Sequence, residues 1–249
     1  MPRLMLSDEQ WSKLKTIMLQ EGIYDKLNLR LEVEGMFYRM RVGCPWRDLP
    51  KQFGKWASLY KKFNDWSMTG KWLRIFKAVV QDPDLEWVFM DGSYVKAHQH
   101  SAGAAGKDCE AIGISRAGRT SKIHLAVDSY GLPISFKITG GQVHDCLAAP
   151  SLIESFPPPE VLTADKGYDS KAIRQQISEK GTVPNIPRKK NSVIGNASLD
   201  RHLYKLRHLV ENAFARLKHF RAIATRFDKL KRNYQSMLAM ACSYLWLPM

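Results

Sequence analysis

The chain has no C-x-x-C pair, no internal repeat, no coiled-coil heptads and no apolar run near the ~20 residues that a membrane span requires. Its four cysteines (Cys44, Cys109, Cys146 and Cys242) are scattered. Neither a zinc site nor a disulfide framework is indicated, and a reducing cytoplasm is the expected setting. The opening residues, MPRLMLSDEQW, lack the apolar stretch of a signal peptide. The largest shortage is of acids: 24 Asp and Glu face 38 Lys and Arg, for a net charge of +14. Such an imbalance favours a polyanion partner, nucleic acid before an anionic membrane.

The excess is concentrated. Between residues 188 and 232 there are thirteen Lys and Arg, opposed only by Asp200, Glu211 and Asp228. Within that stretch, YKLRHLVENAFARLK (204–218) has no Gly or Pro and repeats apolar residues at three and four, which predicts one uninterrupted helix. At about 100° per residue from Tyr204, Arg207 falls near 300°, Glu211 near 340° and Lys218 near 320°. These four polar residues form one narrow stripe, while Leu203, Leu206, Val210, Ala213, Phe214 and Leu217 fill the adjoining arc and face a core. A lone carboxylate between cations beside a buried surface suits a metal and phosphate edge better than a solvated face.

At 249 residues the chain can bury a real core in one or two domains. Residues 1–82 read as a helical domain. Ser7 and Gln10 predict a capping box, and LNLRLEVEGMFYRMR predicts a second helix stopping at Gly43. In GCPWRDLPKQFGKWASLYKKFNDW, a short helix opened by Asp48, a turn at Gly54 and a helix capped by Ser58 suggest a helix-turn-helix. Its second helix would offer Lys55, Ser58, Lys61, Lys62 and Asn64 to DNA, with Leu59, Phe63 and Trp66 inward. An ordinary helical bundle with surface lysines is the bland alternative.

The texture changes at QDPDLEW, and residues 83–249 read as a second, α/β domain. LEWVFMDGSYVKA is a strand. Residues 98–119 read as a Gly/Ala-rich mobile loop. TSKIHLAVDS alternates, with Ile123, Leu125 and Val127 on one face and Lys122, His124 and Asp128 on the other. LPISFKITGG completes an antiparallel meander. Helix, strand, helix, strand and the 204–218 helix follow. This is the order of an RNase H-like mixed sheet flanked by helices.

Asp91 is expected at the end of the first strand, Asp165 at the end of the fourth, and Glu211 on the long helix. Each has a dull reading. Asp91-Gly92 is a common turn, Asp165 competes with Asp169, and Glu211 is a natural ion-pair partner for Arg207. Together, three carboxylates from three elements are what a two-metal site needs, and hard oxygen ligands suit Mg²⁺. His98-x-His100 is a weaker metal candidate, His124 on the polar side of its strand would reach the active site or bind backbone phosphate, and His144-Asp145 reads as a helix cap. Lys189-Lys190 would touch DNA non-specifically.

GCPWRDLP, FMDGSYVKAHQ, GRTSKIHLAVDSYGLP, GQVHD, TADKGYDS and the spacing Y-x2-R-x3-E-x6-K together resemble DDE transposases of the IS4 and IS5 insertion-sequence type, over nearly the whole chain. The resemblance implies Asp91, Asp165 and Glu211 as catalytic metal ligands for two Mg²⁺ ions, with Mn²⁺ able to substitute. It implies Tyr204, Arg207 and Lys218 as DNA phosphate contacts, a role that guanidinium and ammonium chemistry also favours. The expected function is binding of terminal inverted repeats, end cleavage and strand transfer. It would be carried out by a homodimer or higher assembly on double-stranded DNA in a prokaryotic cytoplasm, without a membrane. The rival readings are a domesticated descendant that only binds DNA and an RNase H-like nuclease without strand transfer.

Overall fold

The structure, a computed structural model, describes residues 3–101, 111–189 and 192–248. Lys190, and residues 102–110 of the expected 98–119 loop, lie outside them. In chain order the helices are α1 (Asp8–Gln20), α2 (Leu29–Val42), α3 (Trp56–Met68), α4 (Lys71–Val79), α5 (Asp145–Ile153), α6 (Lys171–Glu179), α7 (Arg201–Lys205), α8 (His208–Lys218), α9 (Arg221–Ala224) and α10 (Lys231–Trp246). The strands used below are β1 (Trp87–Ala97), β2 (Gly113–Ser115), β3 (Gly118–Val127), β4 (Pro133–Gly140), β5 (Val161–Ala164) and β6 (Val183–Asn185). The described residues form two compact units. One gathers those of Met1–Gln81, Ala97–Glu110 and Leu217–Met249, the other those of Asp82–Lys96 and Ala111–Arg216.

In the first unit, Ser7 Oγ accepts from the Gln10 N–H while the Gln10 side chain accepts from the Ser7 N–H, closing the box read from the sequence. α2 ends at Gly43, whose φ of 71° is left-handed and natural only for glycine. α10 buries Tyr234, Met237, Leu238, Met240, Ala241, Cys242 and Trp246. A helix apolar on nearly every side needs cover on every side, and α10 packs against α3 and α4. The C-terminal helix therefore belongs with the N-terminal helices, although the sheet lies between them in sequence. The compact units do not follow the linear division at residue 82.

The helix-turn-helix segment differs from expectation in its first half. Pro45 and Pro50 each remove a backbone donor within five residues of the other, too close for an α-helix between them. Two 3-10 turns form instead, Trp46–Asp48 and Lys51–Phe53, and Asp48 closes the first rather than opening a helix. Gly54 then turns the chain at φ 103°, and α3 begins with Lys55, not Ser58, at its N-cap. Leu59, Phe63 and Trp66 are buried as expected.

The second unit is built on a mixed sheet of order β2-β3-β1-β5-β6, with β4 pairing β3. β1 runs antiparallel to β3 and parallel to β5, and β5 runs parallel to β6. The antiparallel meander is as read, but part of the expected loop is a strand: β2 pairs with the start of β3. The alternation along β3 does not mark a solvent face. Every residue from Thr120 to Val127 is buried, because α5 covers the side carrying Lys122 and His124. Asp128 accepts from the Tyr130 and Leu132 N–H groups and fixes the following turn. Among the described residues, no helix is long and apolar enough to cross a membrane.

Candidate active site

Asp91 is not at the end of its strand, as expected, but in the middle of β1. What ends beside it is the parallel ladder: Met90 pairs with Ala164, the last residue of β5. Asp91 and Asp165 are thus the first residues beyond that ladder on the two neighbouring chain segments. Burial raises the pKa of Asp91 above its ordinary value, and the nearby Asp165 charge adds to this, against the Gly92 N–H and Arg207. Asp165 Oδ1 accepts from the Gly167 N–H at 2.7 Å, which fixes its orientation. Its competitor Asp169 is taken: it pairs with Arg174 at 2.9 Å and Arg188 at 3.5 Å.

The 204–218 segment is two helices rather than one. Between α7 and α8 the bonding tightens to three-residue steps, with Arg207 N–H to Tyr204 C=O and Leu209 N–H to Leu206 C=O. The His208 ring donates Nδ1–H to the freed Lys205 carbonyl at 3.0 Å. The break places Arg207 against the sheet, where Nη1 donates to Asp91 Oδ2 at 2.7 Å and Nη2 donates to Glu211. Burial opposes the charge on Arg207, but Asp91 and Glu211 more than offset it and hold the guanidinium above its ordinary range. The dull reading of Glu211, an ion pair with Arg207, is realised, and it ties Glu211 to Asp91. The apolar arc lies as expected for Leu203, Val210, Ala213, Phe214 and Leu217, whereas Leu206, at the break, is only half-buried. Tyr204 is half-buried, and burial lowers the pKa of Lys218 at the end of α8.

A second layer escaped the sequence reading. Asp145 is the first residue of α5, and its carboxylate does not cap the helix. It accepts from Lys122 Nζ at 2.6 Å and lies 3.2 Å from His124 Nδ1. His124 is fully buried, with Nε2 against Thr139 Oγ1 at 2.9 Å, so it is not a phosphate contact. Gly92, next to Asp91, makes room: a Cβ there would stand 2.4 Å from Asp145 Oδ1 and 2.8 Å from Lys122 Cε. Tyr168 is 1% exposed. Burial, then the charges of Asp145, Asp91 and Asp165, hold its phenol well above the ordinary range, so it stays protonated. The signal for this layer was present in the sequence, since GQVHD and TADKGYDS contain Asp145 and Tyr168.

This layer carries a pH signature. Burial pushes the Asp145 carboxyl up, but His124 and Lys122 more than offset it, and the group titrates below its ordinary 3.8. A carboxyl lowered on folding stabilises above its unfolded pKa and loses that contribution as pH falls through the folded one. In urea unfolding, wild type is therefore expected to exceed Asp145→Asn at pH 6, with the gap closing below pH 3.8. A gap unchanged from pH 6 to pH 3 would contradict this.

Of the proposed α3 contacts, Lys55, Ser58 and Lys61 are exposed. Lys62 and Asn64 are not on the free face. Lys62 pairs with Glu32 of α2, and Asn64 accepts from Asn233 of α10, because helices pack on both flanks of α3. Beside the exposed lysines is a cleft of about 570 Å³ lined by Pro45, Trp46, Arg47, Trp56, Ala57 and Tyr60. His98 and His100 stack on each other at 4.9 Å, and His98 also meets Phe227. Among the described residues no three His, Cys, Asp or Glu side chains gather closely enough to share a metal.

Against known proteins, the family model described as "Transposase DDE domain" matches residues 82–246, and one described as "Putative transposase of IS4/5 family" matches residues 6–76. The chain belongs to the DDE transposase family. It is 34% identical over 131 residues to a putative transposase for insertion sequence element IS6501 from Brucella ovis, covering 51% of this chain and 98% of that protein. It is 32% identical over 138 residues to a putative transposase for IS402 from Burkholderia cepacia, covering 51% and 63%. It is 35% identical over 127 residues to the transposase for IS1106 from Neisseria meningitidis, covering 49% and 44%. The mixed sheet with its flanking helices is the RNase H-like fold of the DDE domain.

DDE transposase domains use divalent metal ions. The donor chemistry here fits one. Asp91 and Asp165 are adjacent carboxylates whose mutual repulsion calls for a cation, and Glu211 reaches Asp91 through one already, the Arg207 guanidinium.

Proposed function

We propose that this DDE transposase binds the terminal inverted repeats of its insertion sequence, cuts the element ends and joins the freed 3′-hydroxyls to target DNA. The observation that carries the reading is the placement of Asp91 and Asp165 side by side past the β1/β5 ladder, with Glu211 tied to Asp91 through Arg207. Asp91, Asp165 and Glu211 would hold Mg²⁺, as two ions, with Mn²⁺ as a substitute. When bound, such ions stabilise the attacking and leaving oxygens of an in-line phosphoryl displacement. No side chain need act as nucleophile, since water or a DNA 3′-hydroxyl attacks.

The chain's own residues then position the strand. Arg207 grips a phosphate through two parallel N–H groups, Lys218 supplies a point charge, and the Tyr204 hydroxyl donates to a phosphate oxygen. Gly92 and the Lys122–Asp145–His124 layer keep β1 where Asp91 faces Asp165. Lys55, Ser58 and Lys61 on α3 contact the repeats. Both ends must be processed together, so the working form on DNA is a dimer or larger.

The test is a labelled duplex carrying the repeats that flank the coding sequence, incubated with purified protein and Mg²⁺. Cleavage at the repeat boundary with joined products, absent from Glu211→Gln, is expected. Repeat-specific binding without cleavage would support a DNA-binding descendant instead, and cleavage without joining a nuclease.

A further inference from the structure

Arg207 is engaged in the DNA-free chain. One guanidinium nitrogen donates to Asp91 at 2.7 Å and another to Glu211, and the side chain is 21% exposed. Building on the metal-dependent reading above, we propose that Arg207 is an internal cation that competes with the metal for Asp91 and Glu211, so that metal entry releases the guanidinium toward DNA.

Three observations support the exchange. Asp91, Asp165 and Glu211 do not gather as a set of three among the described residues, and the group that joins Asp91 to Glu211 is Arg207. The neighbouring buried cation cannot take its place, because Lys122 is committed to Asp145 at 2.6 Å. Arg207 also sits at the joint between α7 and α8, where three-residue bonds replace regular helix and the His208 ring already satisfies the Lys205 carbonyl. The Arg207 side chain is bonded there to Asp91 and Glu211, and its rotation leaves the backbone bonds of the joint in place. A planar guanidinium leaving two carboxylates finds its best alternative partner in a phosphate, which offers the same two-pronged geometry. Metal on the carboxylates and DNA on Arg207 then favour each other, and such coupling is reciprocal.

The experiment is a Mn²⁺ titration of the full, DNA-free chain, reading bound ion from the loss of the free-ion electron paramagnetic resonance signal. Arg207→Gln is expected to bind Mn²⁺ about tenfold more tightly than wild type, within the usual range of coupling between sites. Arg207→Lys, which reaches only one carboxylate at a time, should fall between them. Adding Asp91→Asn to Arg207→Gln should remove the tight site. If Arg207→Gln binds no more tightly than wild type while Asp91→Asn still abolishes binding, the competition is overturned and the metal site stands. If Mn²⁺ binding ignores Asp91→Asn in every background, the metal reading falls and the competition with it.

Discussion

Asp91→Asn is expected to slow metal-dependent end cleavage by at least about a thousandfold while leaving the fold intact, in the range seen when a group central to catalysis is removed. The substitution keeps the shape of the side chain and the Gly92 N–H contact but removes the charge that a metal requires. Because burial already raises the Asp91 pKa, neutralising the group relieves a cost as well as losing the Arg207 pair. The urea midpoint should therefore move little. Asp165→Asn and Glu211→Gln should each cost a similar amount. The triple variant should be scarcely worse than any single one, because groups that act as a unit do not contribute additively. Initial cleavage rates beside urea curves measure both halves of this expectation. An Asp91→Asn protein that retains a tenth of wild-type cleavage would remove Asp91 from the centre.

The largest expected stability effect lies elsewhere, at the buried pair Arg39 and Asp228, 3.2 Å apart with each side chain 6% exposed. Arg39→Leu should destabilise the protein by about 3–5 kcal/mol, the cost of leaving a charge buried without its partner. Arg39 also lies over the Trp46 ring at 4.7 Å, and that contact is lost as well. The pair itself is imperfect, since Arg39 Nε and Nη1 and Asp228 Oδ2 lack hydrogen-bond partners. The cost thus comes from the orphaned carboxylate rather than from a strong bond. Asp228→Asn added to Arg39→Leu should recover part of the loss. Denaturant unfolding of the two variants decides this, and a double variant no more stable than Arg39→Leu would contradict it.

That pair also shows where the sequence was hard to read. Arg39 is on α2 and Asp228 lies just before α10, 189 residues apart, yet both sit in the helical unit. Periodicity finds helices, but it does not say which helix covers which. α10, buried nearly all round, was bound to need a partner, and the sequence could not name α3 and α4.

Local signals served better where one residue type admits one backbone. The Ser7–Gln10 box and the Gly43 stop are both present. The uninterrupted 204–218 helix was misread because nothing in its composition breaks it. At the break Arg207 reaches Asp91 on another element, a tertiary contact that composition does not show and that can override propensity. His124 looked like a surface residue from alternation alone, and a covering helix buried it. Asp145 looked like a cap because its partners, Lys122 and His124, are more than twenty residues away. The acids at 91, 165 and 211 stood out because chemistry limits which residues can serve a metal, and the structure sets Asp91 beside the end of β5 and ties Glu211 to it through Arg207.

Asp91, Asp165 and Glu211 are proposed above to serve one metal centre. The direct measurement loads the protein with Fe²⁺ in place of Mg²⁺, adds ascorbate and peroxide, and maps where the bound iron cuts the backbone. Cuts are expected to cluster near residues 91, 165 and 211, all lost together in Asp91→Asn and all suppressed by excess Mg²⁺. Cuts at one of these segments that persist when another is mutated, or cuts confined to other parts of the chain, would contradict it.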